Sequence, residues 1–244
     1  MKTFGRTEAM ARVNSWTEEL RWVLGARFRA VIVYGSAARD DFDPVHSDVN
    51  LLVVVARADL DTLRDLMEPL QKARVRFRGA PFVMTQEEIL NSRDVFPIKF
   101  HEMARAYQVV AGEDVLANLH LSFQDLRHAA ETELRNIAMK LRRVYLAEGP
   151  DPRPLLLSLR HFSPQILGVL RVFLDREALG GLPEDADLAA LGGARFGFDP
   201  EDLRQTLQLR REEHVPWPLA EQAFGRLLNV LERLAEGVDA WAPE

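Results

Sequence analysis

Residues 30–55 read AVIVYGSAARDDFDPVHSDVNLLVVV, and the fold is decided there. Ala30 to Tyr34 is an apolar run that stops at Gly35-Ser36. An aspartate-rich connection follows, and Ser47-Asp48-Val49-Asn50 leads into the aliphatic run Leu51 to Val55. Short apolar runs bounded by turn residues are expected as buried strands. One strand is therefore expected over Ala30–Tyr34 and a second over Val49–Val55, the latter covered on both faces. Gly35 lets the backbone come close to a ligand. Ser36 offers a hydroxyl and an N–H at the start of a short helical turn, a pattern suited to phosphate. Residues i and i+2 of a strand project to one side, so Asp48 and Asn50 face the same site.

Outward from this stretch, Met10, Val13, Trp16, Leu20 and Val23 recur at helical steps and predict an amphipathic helix over Arg6–Leu24. Leu60, Leu63, Leu66 and Leu70 predict another over Asp59–Leu70. Lys72, Arg74, Arg76 and Arg78 then alternate with Ala73, Val75 and Phe77. That alternation predicts a strand with four cations on one face. The plainer account of such a face is protection of an exposed edge; the functional one is a cationic wall for phosphate, in which Arg76 and Arg78 contact the ligand. Ala80–Thr85 is expected as a further strand. Thr85 and Glu88 form a capping box for a helix that ends before Pro97. Tyr107–Val110, followed by Gly112, is expected as an edge strand.

Past about Leu119 the periodicity is helical throughout. Phe123–Leu146 and Leu155–Leu174 are expected helices, the second with a kink near Pro164. Asp199-Pro200 starts another, with aspartate as N-cap and proline at the first helical position, running to about Glu213. Leu219–Trp241 is the last. Trp16, Trp22, Trp217 and Trp241 are expected in the core or at an interface.

Gly-Ser, a connection of about ten residues, Ser-Asp-x-Asn and a hydrophobic strand together resemble the signature of the nucleotidyltransferase superfamily. This is the polymerase-beta-like fold that includes aminoglycoside adenylyltransferases and the small MNT proteins. The resemblance implies an α/β (α+β) nucleotidyltransferase domain with a small mixed sheet, residues 1–118, followed by an all-α helical bundle domain, residues 119–244. It implies Gly35 and Ser36 at the phosphates of a nucleoside triphosphate, ATP above all, and Mg²⁺ at Asp48 and Asn50, the two catalytic positions. The acceptor, a small molecule or a protein, is expected between the domains, and a homodimer is among the assemblies the resemblance allows.

Family members carry a second aspartate where this chain has Asn50, and a third acid on a neighbouring strand. Ala80–Thr85 contains neither Asp nor Glu. An amide oxygen can coordinate a metal but brings no charge, so the Mg²⁺ site is weakened and nucleotidyl transfer to a hydroxyl is impaired. The alternative is a degenerate member, a pseudoenzyme acting as a nucleotide-binding regulator or partner-binding protein. Asp40, Asp41 and Asp43 are expected in a solvated loop, Glu87, Glu88 and Asp94 on a surface helix, and the orientation of Glu102 is open.

The net charge of −6 argues against a nucleic-acid partner. Cysteine is absent, which excludes disulfides and thiolate metal sites and fits a cytoplasmic protein. The first residues lack the apolar core of a signal peptide, and no segment has the length to span a bilayer.

Overall fold

Strand β2 (Asn50–Val55) lies at the centre of a four-stranded mixed sheet, between β1 (Phe28–Tyr34) and β3 (Phe82–Thr85). The sheet order is β3-β2-β1-β4, with β4 (Tyr107–Gly112) on the far edge, as the sequence predicts. The β1 strand runs antiparallel to β2 and β4, while β2 and β3 are parallel. The computed structural model describes residues 5–39, 42, 48–77, 81–174, 185–209, 212 and 214–241 (for 185–187 the backbone alone). The chain divides into two compact units, Met1–Leu121 and Ser122–Glu244.

In the first unit, period-two alternation along β1 and β2 feeds two separate cores. Val31, Val33, Leu51, Val53 and Val55 face helix α1 (Arg6–Leu24) and helix α2 (Leu60–Phe77). Ala30, Ile32, Tyr34, Leu52 and Val54 face the opposite way. They pack on Ile89 of α3 (Gln86–Asn91), on Phe100 and Met103 of α4 (Pro97–Arg105), and on Val115 and Leu116. Covering both faces with apolar side chains is what makes the β2 sequence so uniformly aliphatic. Trp16 crosses from α1 to α2: its indole N–H donates to the Pro69 carbonyl at 3.0 Å, and its ring meets Phe77 edge-on at 5.7 Å. The capping box forms as predicted, with Glu88 N–H donating to Thr85 Oγ1 at 3.0 Å and Thr85 N–H to Glu88 Oε2 at 2.7 Å.

Two expectations are corrected. Lys72 to Phe77 is the end of α2 and not a strand. Ala73 and Phe77 are buried, but Val75, which a strand would place beside them, is 80 % exposed. Leu66, Pro69, Ala73 and Phe77 continue a helical stripe, and that stripe overrides the local alternation. Lys72 bonds Glu19 at 2.8 Å and Glu68 at 2.9 Å, so it joins two helices. Second, Trp22 is 86 % exposed, on the solvent-facing side of α1 with Ser15 and Glu18. The helix that starts after Thr85 ends before Pro97, as expected, and Pro97 begins α4 at a first-turn position where its missing N–H costs nothing.

The second unit consists, among the described residues, of helices α5 (Phe123–Glu148), α6 (Pro152–Leu174), α7 (Asp185–Phe196), α8 (Pro200–Leu209) and α9 (Trp217–Asp239). Phe123, Phe173, Phe196 and Trp241 form an aromatic cluster with centroids 4.5–6.4 Å apart. Asp199 caps α8 through the Glu201 N–H at 2.9 Å. The α6 helix runs through Pro164, and α7 is a helix that periodicity did not reveal.

The β1–β4 ladder slips by one residue between Val31 and Ile32, a bulge that leaves Val110 without a partner between Val109 and Ala111. Gly112 closes it at φ +88, with the place of a Cβ only 1.8 Å from the Arg29 carbonyl oxygen. Gly112→Ala is expected to cost about 2–4 kcal/mol in denaturant unfolding, against about 1 kcal/mol for Thr85→Ala, which removes only the cap. Equal effects of the two variants would contradict this account of the bulge.

Candidate functional site

The site grows from the end of β1 and the start of β2. Tyr34 pairs with Asn50 across the ladder, so the two side chains leave the sheet on one face. After Tyr34 the chain turns at Gly35, φ +76, into a single 3-10 turn over Gly35–Ala38. A Cβ on Gly35 would lie 3.1 Å from Asn50 Nδ2, so the amide of Asn50 packs directly on the glycine backbone. The Gly35 N–H donates to the Ala106 carbonyl at 2.9 Å. The Gly35 N–H is therefore engaged within the fold. Arg6 secures the other end of the turn, its Nε donating to the Ala37 carbonyl at 3.1 Å.

Asp48 is exposed and stands just before β2. Between it and Asn50, Val49 is buried in the opposite core and its N–H donates to the Phe77 carbonyl at 3.0 Å. Asn50 begins β2 on the face opposite Val49, and Asp48 stands two residues before it. Arg76 is exposed in the last turn of α2, a helix packed on the other face of the sheet from Asn50. Arg78, Asp40, Asp41 and Asp43 lie outside the described residues.

On the Asn50 face the structure adds residues that sequence reasoning passed over. Phe82, paired with Leu52 in β3, points to the same side and is 44 % exposed. Lys99 of α4 sets its ammonium 5.2 Å from the centroid of Tyr34 and 5.0 Å from that of Phe82. It pairs with the carboxylate of Glu102, one turn on, at 3.9 Å. Burial, and after it the charge of Glu102, holds the Tyr34 phenol well above its ordinary value. A lysine in the first turn of a helix opposes the macrodipole; that mismatch, in a helix begun by proline, was the signal available in the sequence.

The metal ions that the signature implies can be tested against these donors. Asp48 supplies a carboxylate, Asn50 is neutral, and β3 offers Phe82, Val83, Met84 and Thr85. Among the described residues no cluster of three or more Asp, Glu, His or Cys could hold a metal ion. A cation, Lys99, already lies over this part of the sheet. These residues do not fit a two-metal centre. In the helical unit, a groove of about 510 Å³ is lined by Lys140, Arg143, His161, Phe162 and Glu148 among others. Its cations suit an anion and not a polyamine. No helix among the described residues is long and apolar enough to cross a membrane.

The shift at Tyr34 has a measurable consequence. The folded state favours the neutral phenol, so this contribution is complete below the ordinary value of 10.0 and is lost as the pH rises through the folded-state value. All three tyrosines are raised, Tyr107 by burial and its bond to Asp114 and Tyr145 by its bond to Glu221. Ultraviolet phenolate titration is expected to show Tyr34 ionising last, together with unfolding, and Tyr34→Phe is expected to remove that step. A Tyr34 that ionises reversibly near 10.0 would contradict its burial.

No protein-family model matches the chain, and no curated protein matches it. Among solved structures it is similar to spectinomycin adenyltransferase AAD(9) from Enterococcus faecialis, determined with ATP and spectinomycin. The identity is 15 %, the match covers 91 % of this chain and 98 % of that one, and the TM-score is 0.55. At this identity the likeness is one of fold: the chain shares the fold of spectinomycin adenyltransferase AAD(9) over nearly its whole length.

Proposed function

We propose that the chain binds a nucleoside triphosphate, ATP in the first instance, on the Asn50 face of its sheet, and that nucleotidyl transfer there is severely impaired. The observation that carries this is the pairing of Gly35 with Asn50. A left-handed glycine keeps the turn close enough for phosphate, while the residue beside it is an amide. Ser36 would donate to the phosphates, Asp48 would hold what remains of the acidic site, and the similar enzyme was solved with ATP.

The magnitude of the charge loss supports impairment over slow but normal catalysis. In-line attack on an α-phosphate is accelerated almost entirely by positioning and by neutralisation of developing charge. Removing one such contact costs on the order of 10²–10³ in rate, and this site has lost two carboxylates. A nucleotide-binding regulator or partner-binding protein is the role that fits. An active transferase that draws a carboxylate from residues 40–47 is the competing account.

Binding and turnover separate them. Calorimetry is expected to show ATP bound by the wild type and weakened at least about fivefold by Gly35→Ala, whose Cβ meets Asn50 and whose φ is strained. With Mg²⁺ and each of the four nucleotides, pyrophosphate release is expected to match that of Asp48→Ala. Release that Asp48→Ala abolishes would establish the transferase instead. Arg76→Ala, on the far side of the sheet, is expected to leave ATP affinity unchanged.

A further inference from the structure

The Asn50 face carries a cation where the signature carries acids. Tyr34 stands on β1 opposite Asn50, and Phe82 stands on β3 opposite Leu52. An ammonium about equally far from both rings spans β2 at the level of Asn50 and Leu52. In the signature that level belongs to the second and third carboxylates and the ions between them.

What holds Lys99 there leaves its charge available. A half-buried pair at 3.9 Å, three residues apart on one helix, is a weak contact. Each ring adds a cation–π contact that consumes no hydrogen-bond donor. The ammonium has three donors, which remain suited to phosphate oxygens. The first turn of α4 adds its own positive end beneath the lysine. Among the described residues, the other charges toward this face include Asp48, Glu102 and Asp114, of one sign, and Arg39 and Arg105, of the other. Arg39 directly follows the 3-10 turn, and Arg105 directly precedes Ala106, whose carbonyl receives the Gly35 N–H.

We propose that the Lys99 ammonium, held over the Tyr34 and Phe82 rings above β2, takes the charge-neutralising place of a divalent cation. The site then binds a nucleoside triphosphate as the free polyanion and not as its magnesium complex. This rests on the nucleotide-binding reading above and adds to it the form of the ligand and the residue that selects it. The differences from the signature are then coordinated: an amide at Asn50 and a β3 without Asp or Glu leave out two negative charges that would otherwise trap the ammonium.

Calorimetry with ATP and with inorganic tripolyphosphate, in EDTA and in excess Mg²⁺, tests the inference on wild type, Lys99→Gln and Lys99→Arg. The wild type is expected to bind both probes in EDTA at least as tightly as in Mg²⁺. Lys99→Gln is expected to lose roughly tenfold or more in EDTA, the scale of a charge-assisted bond, while Lys99→Arg keeps most of the affinity. Thermal unfolding checks that both variants fold, and Lys99→Arg reports on the charge if Lys99→Gln does not. Binding that requires Mg²⁺, or a folded Lys99→Gln with wild-type affinity, overturns this inference and leaves nucleotide binding standing. Absence of binding by the wild type in both buffers overturns the nucleotide reading and this inference with it.

Discussion

The antiparallel register that sets Tyr34 opposite Asn50 is the constraint on which the rest of the first unit depends. A slip of one residue would turn every side chain of β2 to the other face. Leu52 and Val54 would enter the core of α1 and α2, and Asn50 would be buried against apolar helices. The register is fixed from both sides, because β1 and β2 are buried on both faces and neither core tolerates exchange. It also ties chemistry to packing. The face that carries Asn50 is the face on which α4 lies, and α4 brings Lys99.

Much of this was legible in the sequence for physical reasons. The aliphatic runs around Gly35-Ser36 read as strands because only a doubly covered strand needs such uniformity, and both formed. The helix over Arg6–Leu24 and the caps at Thr85 and Asp199 rest on local rules that tertiary structure left undisturbed. The alternating cations from Lys72 onward misled because six residues satisfy period two and helical spacing alike. The stripe that settles the matter starts earlier, at Leu66. Lys99 was missed for another reason: its partners are an aromatic residue on β1 and another on β3, brought together only by the sheet. What the sequence did contain was the oddity of a lysine in a first helical turn.

The site thus differs from the pattern it resembles by an exchange of charge. Asp48 keeps one acidic position, Asn50 neutralises the second, β3 supplies no third, and a lysine enters from α4. A second divalent cation would face an ammonium across a few ångströms of partly desolvated site, where like charges repel by several kcal/mol. An anionic ligand meets the opposite sign there. On the proposed reading, the left-handed Gly35 against Asn50 and the turn from Ser36 serve a triphosphate, while the chemistry that metal ions would drive loses its support.

The most direct test is a crystal structure of the protein grown with ATP in EDTA. The account predicts a triphosphate oxygen in hydrogen-bond contact with Lys99 Nζ, the ammonium still over the Tyr34 and Phe82 rings, and the phosphates lying against Ser36. A triphosphate bound away from Lys99, or ordered only when Mg²⁺ bridges it to Asp48, would contradict it.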